Sequence, residues 1–422
     1  MIWIGLICLI FMSYSVIFLF AYKPLGIKII LFFSILIIGV NLKVNINNIH
    51  LITSIPFFLF FVILSSKLLS NKENKAVFNK IIWCLLALNL ILLFQLCTFN
   101  LFSMDLFYRN LQIFSGILLI VIIFYKYGSY VEENYILKLI SFLSLFNSIL
   151  AFLQYLTGKT LLLFAKDVSI TYTEGIVDVK RVVGLVGVNN GAGNLGAIFF
   201  PVLLYMFLKN KNTYNLIVLV LNVIFTFLTL TRAGILAITI EFIIYIFYII
   251  IRGKMDIVKK MIMIIAMGIV FFVCYQLFNE DLYRLLFTER GDTTASRTAQ
   301  FSIISDIVSD NILFGIGAGN YLDFVWYRYG IKDTVLHSQW LNIIIEQGIV
   351  SFFIYLVFNL ILLLQVIKRC KEEYLWFPIA LFIGNAVTIN FNPNQYYELN
   401  IFIFYIIVFG MIFSKSQDVS QK

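Results

Sequence analysis

Three side chains hold most of the chemistry that this sequence can offer: Arg232, Arg297 and His337. Arg232 stands in Leu230-Thr231-Arg232-Ala233-Gly234, between two long apolar runs. A basic residue at such a boundary is costly unless it is paired or ligated. A guanidinium meets a phosphate through two parallel N–H bonds, so one role for Arg232 is to hold a lipid-borne phosphate. The other is to snorkel or to pair with an acid. Arg297 follows Thr293-Thr294-Ala295-Ser296, and Phe301, Ile304, Ile307 and Val308 then fall on one helical face. Thr294 or Ser296 would cap that helix, which puts Arg297 in its first turn. A helix N-terminus already favours an anion, and an arginine adds to it. His337, one of two histidines in the chain, precedes an apolar run in Leu336-His337-Ser338-Gln339-Trp340. An imidazole titrates near neutral pH, which suits a general base for a hydroxyl or a cationic ligand of a diphosphate. The plainer reading of His337 is structural, and His50, in a short loop, reads as incidental.

Two glycine runs are weaker signals. Gly191-Ala-Gly193-Asn-Leu-Gly196 has the GxGxxG spacing, but an apolar run follows it and no acid lies at 209–216. Nucleotide binding needs a preceding strand and that acid, so the glycines read as close helix packing. The same stretch brings Asn189, Asn190 and Asn194 to the mouth of a span, where amides either bond sugar hydroxyls or cap the helix. Gly315-Ile-Gly317-Ala-Gly319-Asn320 is either a ligand-approaching loop or a turn. Arg181, Asn189, Asn190, Asn194, Gly317 and Asn320 are therefore the candidate substrate-binding residues. Glu241 lies nine residues after Arg232, on the opposite helical face at about 100° per residue, and pairs with another span or marks a polar cavity.

The elements that must position these groups are membrane helices. The chain is 61% hydrophobic and 13% charged, whereas a soluble domain is about half apolar and a quarter charged. So few charges cannot cover a soluble surface of 422 residues, and the continuous apolar runs exclude an outer-membrane barrel. The net charge of +9 comes largely from lysines in short loops, as the positive-inside rule expects, and not from a nucleic-acid face. Five cysteines lie in or beside apolar runs without CxxC spacing, so neither a zinc site nor a disulfide framework is expected. The first apolar run, with no basic region before it and no cleavage site after it, reads as a retained span.

The fold class is all-α and polytopic, with about 12–13 spans of roughly 20 residues. They fall near 2–22, 27–42, 51–66, 81–99, 111–125, 135–156, 191–208, 214–230, 233–251, 257–278, 341–367, 375–389 and 399–413. The chain divides into N-terminal spans at 1–156, central spans with a polar opening segment at 157–278, a large loop at 279–340, and C-terminal spans with a short tail at 341–422. Basic loops at 67–80, 209–211, 252–260 and 368–371 set one side as cytoplasmic, so the segments 157–190 and 279–340 face outward. Residues 278–340 hold eight acids and five basic residues, a concentration seen nowhere else in the chain.

Four pieces in order resemble the O-antigen ligase and polymerase family of bacterial membrane glycosyltransferases. They are Gly187-Val-Asn-Asn-Gly-Ala-Gly-Asn-Leu-Gly196, then Leu230-Thr-Arg-Ala-Gly234, then Ser296-Arg297 with Asn311-Ile-Leu-Phe-Gly-Ile-Gly-Ala-Gly-Asn320, and last His337-Ser-Gln-Trp-Leu-Asn-Ile-Ile-Ile-Glu-Gln-Gly348. Thr231, Ile312 and Ser338 stand where the family more often has Ser, Pro and Asn. The resemblance implies a GT-C-like fold, a polyprenyl-diphosphate-linked glycan donor and a glycan acceptor, with no nucleotide sugar, cofactor or metal. It implies that Arg232 and Arg297 hold the diphosphate and that His337 activates the acceptor. The acceptor is another lipid-linked repeat for a polymerase, or a lipid A core for a ligase. A chain-length regulator and a flippase of the same pathway are the expected partners, and the bacterial cytoplasmic membrane is the expected location. The rival from another class, a transporter of the same lipid-linked glycan, would spread ionisable residues through mid-membrane, where only Glu241 is clear here. Arg297→Ala is expected to abolish glycan chain growth while the protein stays in the membrane; normal polymer length on a gel would sink the assignment.

Overall fold

The computed structural model describes residues 44–46, 49–52, 55, 58–59, 74–128, 131–162, 168–174, 177–252, 303–332, 335–393 and 397–415. In chain order these form a hairpin of β1 (Val44–Ile46) and β2 (Ile49–Leu51), then helices α1 (Lys75–Thr98), α2 (Met104–Tyr127) and α3 (Glu133–Thr157). A second hairpin follows, β3 (Thr171–Glu174) with β4 (Val177–Lys180), and then α4 (Asn189–Asn210), α5 (Thr213–Leu228) and α6 (Arg232–Arg252). After a helical run at 303–310 come α7 (Tyr321–Tyr329), α8 (Gln339–Asn342), a π-helical segment (Ile343–Gln347), α9 (Gly348–Arg369), α10 (Trp376–Phe391) and α11 (Glu398–Phe413).

Seven apolar stretches among the described residues are long enough to cross a membrane, and α5 and α11 are shorter apolar helices. The protein is a polytopic, mainly helical membrane protein. The fourth to ninth and the eleventh to thirteenth expected spans are all helices here. The first, second and tenth lie outside the described residues, as does most of the third, whose opening Leu51 belongs to β2. The eleventh differs from expectation, because the π-helical segment interrupts it.

Two helices make the centre of the bundle. Every residue from Leu399 to Phe413 in α11 is buried, as is nearly all of α4 from Gly191 to Met206. A helix that is apolar all round must be enclosed by others. α4 packs against α3, α5, α6, α10 and α11. Its glycines explain how they come so close. A Cβ at Gly196 would run into the Thr226 hydroxyl of α5, and one at Gly193 into Thr231. A Cβ at Gly234 of α6 would lie 2.5 Å from the Gly193 carbonyl oxygen. Amides then fasten neighbours to the exposed backbone of α4. Asn400 of α11 donates to the Gly191 carbonyl at 2.8 Å, and Asn222 and Asn215 of α5 donate to Gly196 and Met206 at 2.9 and 3.0 Å. No water competes in an apolar interior, so such bonds hold helices where packing alone gives little drive.

The described parts of the large loop, 303–332 and 335–340, are packed and not extended. Ile303, Ile304 and Ile307 bury one face of the 303–310 helix against Tyr321, Val325 and Leu336. Of the expected face, Ile304 and Ile307 are buried, Val308 is partly buried and Phe301 lies outside the described residues; Ile303, off that face, is buried as well, and the helix ends at Asn311 as expected. Substituting Gly234→Val should cost about 1–3 kcal/mol by overpacking against α4. A lowered melting temperature of the detergent-solubilised protein would register this, and an unchanged one would contradict the close α4–α6 approach.

Candidate functional site

At one end of the bundle, polar side chains gather around the N-terminus of α4. Arg181, just after β4, is buried; its Nε donates to the Thr229 carbonyl at 3.0 Å and its Nη2 to Asn190 Oδ1 at 3.2 Å. Its guanidinium also lies 5.8 Å from the centre of the Tyr172 ring. Thr231 donates to the Asn189 carbonyl at 2.9 Å, which brings the next residue, Arg232, to the same end as the first residue of α6. The Nε and Nη2 atoms of Arg232 are shielded from solvent. Asn189 Oδ1 accepts from the Asn190 N–H at 2.7 Å, and Asn194 donates to the Asn392 carbonyl at 2.8 Å. Arg181, Asn189, Asn190, Asn194 and Arg232, chosen from sequence, thus occupy one neighbourhood. Arg181 and Arg232 thus bring two guanidinium groups to the N-terminal end of α4.

The end of α10 connects this neighbourhood to His337. Ser338 caps α8, accepting the Leu341 N–H, and donates its own hydroxyl to Asn390 Oδ1 at 2.8 Å. Asn392, two residues on, takes Asn194. His337 is exposed immediately beside this junction. Arg297 lies outside the described residues.

Gly317 and Asn320 do different work. The π-helical segment frees backbone carbonyls at Ile345 and Glu346, and the glycine run takes them. Ile316 N–H donates to Ile345 and Gly317 N–H to Glu346, at 2.9 and 3.0 Å. The Glu346 carboxylate then accepts from the Gly319 N–H at 2.9 Å and the Tyr321 N–H at 3.2 Å. Gly315, Gly317 and Gly319 all have positive φ, and a Cβ at Gly315 would meet the Glu346 backbone at 2.5 Å. Gln95 of α1 closes the arrangement, donating to the Phe314 and Glu346 carbonyls at 2.6 and 2.9 Å and accepting from the Ala318 N–H at 3.1 Å. Asn320 is committed as well: its Nδ2 donates to the Asn100 and Ile316 carbonyls, and its Oδ1 accepts from the Phe102 N–H. The glycine run is therefore a backbone clasp on a carboxylate, and its N–H groups are already bonded within the protein.

Sequence reasoning missed four members of these arrangements. Arg109 of α2 pairs with Glu398 at the start of α11, at 2.5 Å. Tyr397 packs on Gly191, and burial pushes its phenol up to about 12, against the opposing pull of Arg109 and Arg181. It stays protonated and can donate a hydrogen bond. The available signal was an arginine early in one apolar run and an acid opening another, on the same side of the membrane by span count. Gln95 gave no signal beyond being an amide inside an apolar run. Glu241 is buried against Gly384 of α10, and neither carboxylate oxygen has a hydrogen bond among the described residues. His50 lies in β2, opposite Asn45.

This is a multi-pass membrane protein with a basic, amide-rich site at one end of its helical bundle. Residues 217–356 match the family model described as O-antigen ligase, and this match supports the resemblance to the O-antigen ligase/polymerase family. The match includes Arg232, the glycine run, His337 and Glu346. No curated protein matches the chain. Members of this family are membrane glycosyltransferase-like ligases and polymerases.

Removing the Glu346 side chain leaves two buried N–H groups without acceptors, each worth about 1–3 kcal/mol. Glu346→Ala should therefore lower the melting temperature sharply and expose the 312–320 segment to protease. Glu346→Gln should fall between the two. A fully stable Glu346→Ala protein would show that the clasp contributes nothing.

Proposed function

We propose that the protein polymerises polyprenyl-diphosphate-linked oligosaccharide repeats into O-antigen or a capsular or extracellular polysaccharide. The reaction is inverting, metal-independent glycosyl transfer on the outer face of the bacterial cytoplasmic membrane. The observation that carries this reading is the gathering of Arg181 and Arg232 at the α4 N-terminus, within a chain that matches the O-antigen ligase model. The sidedness rests on charge. Lys75, Lys126, Lys209, Arg252 and Arg369 lie at the opposite helix ends from the site, as expected for a cytoplasmic face.

In this mechanism the acceptor hydroxyl oxygen attacks the anomeric carbon of the donor. The bond from that carbon to the diphosphate oxygen breaks, and polyprenyl diphosphate leaves with the electron pair. Negative charge grows on the diphosphate, and Arg232 and Arg297 meet it, with Arg181 at the same end of α4 as Arg232. His337 takes the hydroxyl proton. Its exposure beside the Ser338–Asn390 junction gives a large glycan access to the imidazole. A ligase that transfers the glycan to a lipid A core is the second reading, and the family-model match supports the ligase/polymerase family that contains both.

Liposomes with a defined lipid-linked oligosaccharide and no other acceptor test the proposal. Products at integer multiples of the repeat, with polyprenyl diphosphate released, are expected. Reaction only after a lipid A core is added would make the protein a ligase, and movement of the lipid across the bilayer without any product would make it a transporter. In the same assay Arg232→Ala should lose roughly 10²–10³-fold in kcat by analogy with other lost charge-stabilising groups. His337→Ala should lose roughly 10²–10⁴-fold, as for a general base.

A further inference from the structure

We infer that the opposite end of the bundle carries a second binding site, a polar cavity that takes a phosphodiester headgroup bearing its own hydrogen-bond donors, such as phosphoethanolamine. The cavity is about 190 Å³ and lies where α3 begins, α4 and α9 end and α10 begins. Lys209, Arg369 and Lys371 line it. Lys209 Nζ donates to the Tyr205 hydroxyl at 3.3 Å, and Arg369 Nη1 donates to the Ser414 carbonyl at 3.2 Å. All three cations remain exposed, so a ligand can reach them.

The rest of the lining narrows the ligand. Glu133 and Glu373 also face the cavity, which leaves one net positive charge from these five groups. Lys209 and Arg369 each stand in the last turn of a helix, where backbone carbonyls offset part of their charge. A multiply charged anion therefore gains little here. Asn134 also lines the cavity. Burial pushes the neighbouring Cys370 thiol up to about 12, with Glu133 adding and Lys209 opposing, so no thiolate competes for the cations. Cations for a phosphate and acceptors for an ammonium or hydroxyl, together, match a zwitterionic or singly charged headgroup. The position at a helix-end boundary suits a lipid, and a soluble ester of the same headgroup has the same chemistry.

Thermal unfolding of the intact protein in maltoside micelles tests this. Phosphatidylethanolamine should raise the melting temperature by at least about 3 °C, the size of shift expected for a ligand well above its Kd. Diacylglycerol of the same chains should not. The double variant K209Q/K371Q should lose the shift, and K209R/K371R should keep it, which separates binding from general damage. A shift with phosphatidylethanolamine alone assigns the site to lipid, and the same shift with glycerophosphoethanolamine assigns it to a soluble ester. No shift in the wild type, or equal shifts in the wild type and K209Q/K371Q, would overturn the site. None of these readouts depends on glycosyl transfer, so the polymerase reading can fail without it.

Discussion

The Glu346 carboxylate, bonded to two backbone N–H groups of the glycine run, is the interaction on which the site end depends. A carboxylate enclosed by protein is costly unless donors surround it. Here the donors come from a turn that only positive-φ residues can make, at Gly315, Gly317 and Gly319. The π-helical segment supplies the other half by turning its carbonyls outward. Such segments are often found at functional sites. In this protein the segment anchors the 303–340 region on the helix that follows His337, and so fixes where His337 projects.

A second set of polar bonds serves a different purpose. Asn222, Asn400 and Asn194 tie α5, α11 and the end of α10 to α4. The same asparagine-rich stretch that looked like a ligand surface is partly this scaffold. Asn194 faces the α10 terminus, while Asn190 supports the Arg181 guanidinium. One run of residues thus builds the α4 contacts and presents the arginines. That explains why small residues and amides alternate there.

Much of the fold was legible because membrane helices need about 20 apolar residues, and those runs can be counted. The 303–310 helix was legible from its spacing, which Ile304 and Ile307 follow in burial, whereas the burial of Ile303 was not. The clasp was not legible. Its glycines read equally well as a ligand loop, and only the register of Gly319 and Tyr321 on Glu346 decides between them. Arg109 and Glu398 are 289 residues apart, so no local pattern connects them. The arginine at 181 and the amides at 189–194 were legible as a group because they are near in sequence and share one helix mouth.

Gln95 has a consequence for how the protein is made. It bonds Glu346 across 251 residues of chain. Ribosomes add about 5–20 residues per second, so roughly 12–50 s separate the synthesis of the two partners. During that time α1 holds an amide with no final partner at the end of an apolar helix. The N-terminal helices therefore wait in the membrane incomplete, and the last-made third of the chain finishes them.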